Sequence, residues 1–228
     1  MFPIFDSSML IVLPAVALAF WAQSRVRSSY QKMSQISSSS GLTGAQVARR
    51  ILDSNGLHDV KVEAVQGELS DHYDPRDRVV RLSEGIFGSR SLAALGVAAH
   101  ECGHAIQHAS AYAFLKFRHT LLGPANIGST LAIPMFLIGM FINAFSFLTT
   151  LGIVFFSFAV LFHIITLPVE FDASRRALRI LGGSGYISDS EISGTRKVLD
   201  AAAWTYVASA LMAVLQLIQL LVMRGREE

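Results

Sequence analysis

The chain has 228 residues, of which 52% are hydrophobic and only 16% charged, well below the roughly 25% charged residues of soluble globular domains. A net charge of +2 without a clustered basic–aromatic pattern gives no reason for a nucleic-acid partner. A single cysteine, Cys102, excludes an intrachain disulfide framework.

In chain order, Phe2 to Gln23 is apolar apart from Asp6 and two serines, close to the ~20 residues a spanning helix needs. No basic stretch precedes it and no small-x-small site closes it, so a retained anchor is expected over 1–23 rather than a cleaved signal. Arg25, Arg27 and Lys32 follow the apolar run, which places the N-terminus outside and the next segment in the cytoplasm. A Ser-rich linker is expected over 24–40, ending in "SQISSSSG", with little capacity to pack.

A small domain is expected over 41–118. Thr43 and Gln46 have the spacing of a capping box, Val47, Ile51 and Leu52 form an apolar stripe, and Asn55-Gly56 stops the helix. "VKVEAV" alternates as a half-buried strand and "RVVRLS", Arg78 to Ser83, forms a second. Asp74-Pro75 marks a turn between them, and from spacing alone Asp71, His72, Tyr73 and Asp74 fit a solvated hairpin loop. From Ser91 a helix of small residues carries "HECGH".

His119 to Val169 holds no Lys, Arg, Asp or Glu and fits two spanning helices with a tight turn near 143–150. Residues 170–200 form a second polar piece in which "VEFDASRRALRIL" is helical, "GGSG" stops it, and Ser188 with Glu191 opens a further helix. A last span occupies 201–223, with Trp204 and Tyr206 at an interfacial position, and 224–228 is a tail. Four spans starting outside put 24–118 and 170–200 on the cytoplasmic face, and those segments hold every Lys and Arg except Arg224 and Arg226.

Residues four apart on a helix share one face, so His100 and His104 can offer two imidazole nitrogens to one metal ion. Glu101 leans beside the pair, where a carboxylate can act as general base on a water. The uncharged neighbours Val97, Ala98, Ala99, Cys102, Gly103, Ala105 and Ile106 suit a buried active-site helix. The alternative is a pair of hydrogen-bonded core histidines with a surface glutamate. His108 drifts around the helix and fits a polar helix end or an outer partner, while Cys102 points away and fits packing.

Two histidines leave the site one protein ligand short. Glu170 lies at the end of the third span, on the same expected membrane side, and completes the His₂Glu set common in catalytic zinc sites. Its alternative is a charge marking the membrane boundary beside Arg175 and Arg176. Pro168 is placed to kink that helix, and His163 shares the face of Glu170 from one or two turns deeper.

HECGH with a distant glutamate resembles the gluzincin metallopeptidases. "LTGAQVARRIL", "DHYDP", "VVRLSEGIF", "AAHECGHAIQH", "GPANIGS" and "LPVEFDASRRAL" resemble, more closely, the bacterial family of membrane-bound neutral zinc metallopeptidases, over about Leu42 to Tyr206. The resemblance implies one Zn²⁺ per chain held by His100, His104 and Glu170, with Glu101 as catalytic base. It also implies a protein or peptide substrate, membrane proteins among them, and a multi-pass place in the bacterial cell membrane. There is a looser likeness to the CaaX prenyl endopeptidase and the bacterial heat-shock membrane protease, which place an Asp four residues after the ligand glutamate. Here that position is Ser174, and the nearest Asp is Asp172. By analogy with gluzincin clefts, Arg78 to Ser83 would bind an extended peptide by strand addition, and Tyr73 or His72 would steady the oxyanion.

The fold class expected is therefore a mostly α integral membrane protein with about four transmembrane helices and a small α+β gluzincin-like catalytic domain. The competing classes are a non-catalytic zinc-containing membrane scaffold and a metal-handling protein. A transporter would put its ligands inside the spans, where His163 is the one candidate.

Overall fold

The computed structural model describes residues 7–225. The expectations that fall on 1–6, Asp6 among them, and on 226–228 lie outside the described residues. After a 3₁₀ turn at Ser7–Ile11, the elements are α1 (Leu13–Ser34), α2 (Gly44–Ser54), β1 (Lys61–Val65), β2 (His72–Asp74), β3 (Val79–Ser83), α3 (Glu84–Phe87), α4 (Leu92–Ala109), α5 (Ala113–Phe141), α6 (Phe147–Gly183) and α7 (Asp189–Arg224). Among the described residues, four helical segments are long and apolar enough to cross a membrane: Ser8–Ser34, Ala113–Phe141, Phe147–Gly183 and Asp189–Arg224. The protein is mostly α, with a small mixed sheet.

The chain divides into two compact units. The first comprises the described parts of Met1–Ala22 and Thr205–Glu228 together with Lys116–Pro168; the second comprises Gln23–Leu115 and Val169–Trp204. In the first, α5 and α6 are joined by a short turn with a 3₁₀ piece at Asn143–Phe145, inside the window expected for it. Ala132, Phe136, Ile153, Phe156, Val160, Ala213 and Leu220 form its buried cluster. Pro124 and Pro134 sit inside α5, and Pro168 inside α6, without ending either helix.

In the second unit, α2 begins at the expected capping box. Thr43 Oγ1 accepts from Gln46 N at 3.2 Å and Gln46 Oε1 accepts from Thr43 N at 3.0 Å, which satisfies two helix-end donors at once. Val47, Ala48, Ile51 and Leu52 are fully buried in one cluster with Ala94, Leu95, Ala98, Ala99 and Cys102 of α4. The functional helix is thus held along one flank by a conventional apolar stripe. Ser91 caps α4, its Oγ accepting from Ala94 N at 3.2 Å.

Three features differ from the sequence expectation. The two expected strands do not form a hairpin, because β1 and β3 run parallel, with Lys61 opposite Val79. The hairpin is instead β2–β3, antiparallel with Tyr73 opposite Val80, and His72–Asp74 is itself a strand. Its polar residues hid it: Asp74 Oδ1 accepts from Arg76 N at 2.8 Å inside the turn, while Arg81 Nη1 donates to Asp74 Oδ2 at 3.0 Å across the pair. The sheet order is β1-β3-β2, so β3 has a neighbour on each side. Strand addition at Arg78–Ser83 is therefore excluded, since an incoming strand needs a free edge.

The linker expected over 24–40 is the third difference. Helix α1 continues through Ser34, with Met33 buried, and the remaining serines are pinned rather than loose. Ser38 N donates to Arg90 O at 2.8 Å and Ser38 Oγ to Tyr186 O at 3.1 Å. Ser39 N and Oγ donate to the Glu191 carboxylate at 2.7 and 2.8 Å. The same carboxylate accepts from Ser188 N at 2.7 Å, so the cap of α7 also holds this strap.

Candidate metal centre

His100 and His104 stand one turn apart on α4, their rings 4.8 Å between centroids and nearly perpendicular, at 87°. Glu170 projects from α6 and is 2% exposed. Its Oε2 lies 3.2 Å from His100 Nε2 and 3.6 Å from His104 Nε2, and the three donor atoms all fall within 4.8 Å of one another. Zinc–ligand bonds of about 2.0–2.2 Å in a tetrahedron require donor–donor edges of roughly 3.3–3.6 Å. The carboxylate–imidazole separations are close to those edges, so the donor set fits a zinc ion with little rearrangement.

Both imidazoles are turned correctly for this. His100 Nδ1 lies 3.1 Å from Ser174 Oγ and His104 Nδ1 lies 3.0 Å from Gln107 Oε1, so the Nε2 atoms face Glu170. The approach of the two helices depends on Gly103, inside the motif: a Cβ there would sit 2.8 Å from Ala173 O and 3.1 Å from Ala173 Cα. Burial alone would hold the His104 imidazolium well below its ordinary pKa. The hydrogen bond and charge of Glu170, the charge of Glu101 and the Gln107 contact together outweigh that and raise it. A field that favours a proton on a buried imidazole also favours a cation at the same place.

Glu101 is 8% exposed, next to His100 on the helix, and its charge reaches His104. Cys102 faces the opposite flank, fully buried, with its Sγ 3.5 Å from Ala48 O. Burial pushes its thiol pKa up, with Glu101 adding to the shift, so Cys102 stays a neutral packing residue. Tyr73 on β2 meets the end of α4, its Oη 2.9 Å from His108 Nδ1. His72, exposed, turns its Nδ1 to its own loop at Ser70 O, 2.7 Å away. His163 belongs to the other unit, with its ring edge-on to Phe162 at 5.8 Å. Asp172 accepts from Arg176 Nε at 2.6 Å and from Gln107 Nε2 at 2.9 Å.

The sequence family described as "Putative neutral zinc metallopeptidase" matches residues 8–225 of this chain. The chain belongs to that family. A Bacillus subtilis (strain 168) protein named "Putative membrane protease YugP" is 49% identical over 220 residues, covering 96% of this chain and 97% of its own. No solved structure matches the chain. Membership of a zinc metallopeptidase family, with four apolar helices, makes this a multi-pass membrane protein of the zinc metallopeptidase class.

Within this zinc metallopeptidase frame, the structure adds residues that sequence reasoning passed over. Gln107 is 0% exposed and bonded to His104, Val169 and Asp172 at once. Its signal was available: a polar residue one turn past the second histidine, on a helix of small apolar residues, must find partners when buried. Ser174, four residues after Glu170, reaches His100. His108, taken as a plain helix end or an outer partner, has a specific contact in Tyr73.

Proposed function

We propose that this protein is a membrane-embedded zinc endopeptidase, with one zinc ion per chain held by His100, His104 and Glu170 and with Glu101 as general base. Its catalytic face is cytoplasmic, in a bacterial cell membrane, and its substrates are proteins or peptides, membrane proteins among them. The observation that carries this reading is the separation of the Nε2 and Oε2 donors by the edge lengths of a zinc tetrahedron.

His100, His104 and Glu170 would hold a zinc ion that, when bound, would supply Lewis acidity and a water of lowered pKa. Glu101 takes the proton of that water and passes it to the leaving amide nitrogen. In this reading Tyr73 steadies the oxyanion, its hydroxyl accepting from His108 Nδ1–H and donating its own proton onward. Burial, set against the opposing charge of Arg78, raises the Tyr73 pKa and keeps that proton in place at neutral pH. With β3 enclosed, strand addition falls to an edge strand, and we assign it to β2, which Tyr73 joins to the end of α4.

A scaffold that keeps zinc only for folding is the competing reading. Structural zinc sites close four positions with protein ligands, whereas the cluster among the described residues has three. The deciding experiment is zinc stoichiometry and peptide turnover of the detergent-purified protein beside Glu170→Ala and Glu101→Gln. We expect one zinc per wild-type chain, loss of zinc in Glu170→Ala, and retained zinc with turnover down by at least ~100-fold in Glu101→Gln. Full zinc in Glu170→Ala would remove that ligand, and undiminished turnover in Glu101→Gln would remove the base.

A further inference from the structure

Behind His104 lies a buried chain of polar groups that no part of the proposed chemistry yet uses. Gln107 Nε2 donates to Val169 O at 2.8 Å and to Asp172 Oδ2 at 2.9 Å. Both partners are acceptors only, one a backbone carbonyl and the other a carboxylate that also takes Arg176 Nε at 2.6 Å. The two hydrogens of the amide are therefore committed, and its orientation follows from the partners. The atom left to face His104 is Oε1, which can only accept. His104 must therefore carry a proton on Nδ1, 3.0 Å from that oxygen, which leaves Nε2, 3.6 Å from Glu170 Oε2, as the nitrogen that can bind a metal.

His100 has no such constraint. Its Nδ1 partner is the Ser174 hydroxyl, which can donate or accept by rotating. The two motif histidines thus differ: one is permissive and the other is fixed. Gln107 also bonds two positions of α6 that flank Glu170 in sequence, Val169 and Asp172, so the same side chain ties α4 to the helix that carries the third donor.

We infer that Gln107 is a positioning residue that locks the Nδ1–H tautomer of His104 and fixes α4 against α6, with Asp172 and Arg176 holding the amide in its one productive orientation. The inference rests on the metal-site reading above. It predicts that metal affinity and coordination geometry depend on an acceptor at position 107, not merely on its volume.

The test loads full-length protein in detergent with Co²⁺ or Zn²⁺ and compares wild type, Gln107→Met and Gln107→Glu. The readouts are affinity by chelator competition and the visible absorption of the cobalt form. Gln107→Met keeps the length and packing and removes the acceptor; we expect ~10–100-fold weaker metal and an altered cobalt spectrum. Gln107→Glu restores an acceptor for Nδ1–H and, with its carboxyl protonated, still donates to Asp172 Oδ2, so it should recover most of that loss and the wild-type spectrum. Equal affinity and spectra for Gln107→Met and wild type would overturn the inference, as would a Gln107→Glu no better than Gln107→Met. Should Gln107→Met fail to fold, Gln107→Glu against wild type decides: an unaltered cobalt spectrum supports the acceptor role and a changed one refutes it. A wild type that takes up neither metal would instead overturn the metal site itself.

Discussion

At Tyr73 the direction of one hydrogen bond decides what the residue can do. Its Oη lies 2.9 Å from His108 Nδ1. If the histidine donates, the phenolic proton is free for a developing oxyanion; if the phenol donates, it is spent on His108. The Tyr73→Phe variant separates these cases. Loss of an oxyanion donor costs about 100-fold or more in kcat, so we expect kcat to fall by that order while KM and zinc content hold. A fall in KM-linked binding alone, or no change, would assign Tyr73 to the fold of the β2–α4 junction. His72→Ala is the internal comparison, because that ring is turned to Ser70 O and its loss should leave kcat little changed.

At the scale of elements, the centre is a junction of two helices, and Gly103 sets their distance. A methyl group at this position would meet the Ala173 backbone at 2.8 Å, and backbone atoms cannot rotate out of the way. Gly103→Ala should therefore force α4 and α6 apart, costing about 1–3 kcal/mol of stability and lengthening the His–Glu170 separations. The measurable result is a lower denaturation midpoint with weakened zinc binding in the same variant. Normal zinc affinity in a destabilised Gly103→Ala would mean that the donors adjust independently of helix spacing. HECGH was legible as chemistry because its histidines and glutamate follow helix periodicity, but its glycine carries no pattern until a partner helix is known. Strand β2 was hidden for a related reason. Its side chains are polar, and what makes it a strand is pairing with β3, which alternation cannot report. The serines after α1 have the composition of a linker, yet Ser39 is bonded to Glu191, a partner 152 positions away.

For the whole molecule, hydropathy located the four spans well, since uncharged runs of that length have few alternatives to a bilayer. Helix α6 runs on past the uncharged segment, through Glu170 to Gly183, in agreement with the helical reading of "VEFDASRRALRIL". Orientation follows from charge rather than from hydropathy. Every Lys and Arg except Arg224 and Arg226 falls in 24–118 or 170–200, and Arg25, Arg27, Lys116, Arg118, Arg175 and Arg176 lie close to the ends of apolar runs. Basic residues at those places are retained on the cytoplasmic side. In the orientation we propose, an even number of spans puts both termini outside, with the metal centre facing the cytoplasm. A C-terminal alkaline phosphatase fusion should accordingly be active and a C-terminal green fluorescent protein fusion dark. Substituting the six basic residues near the span ends by Gln, while adding Arg to the 142–146 turn, should weaken or reverse that pattern. A bright C-terminal fluorescent fusion in the unaltered protein would place HECGH outside the cell and direct the substrate search to extracytoplasmic proteins.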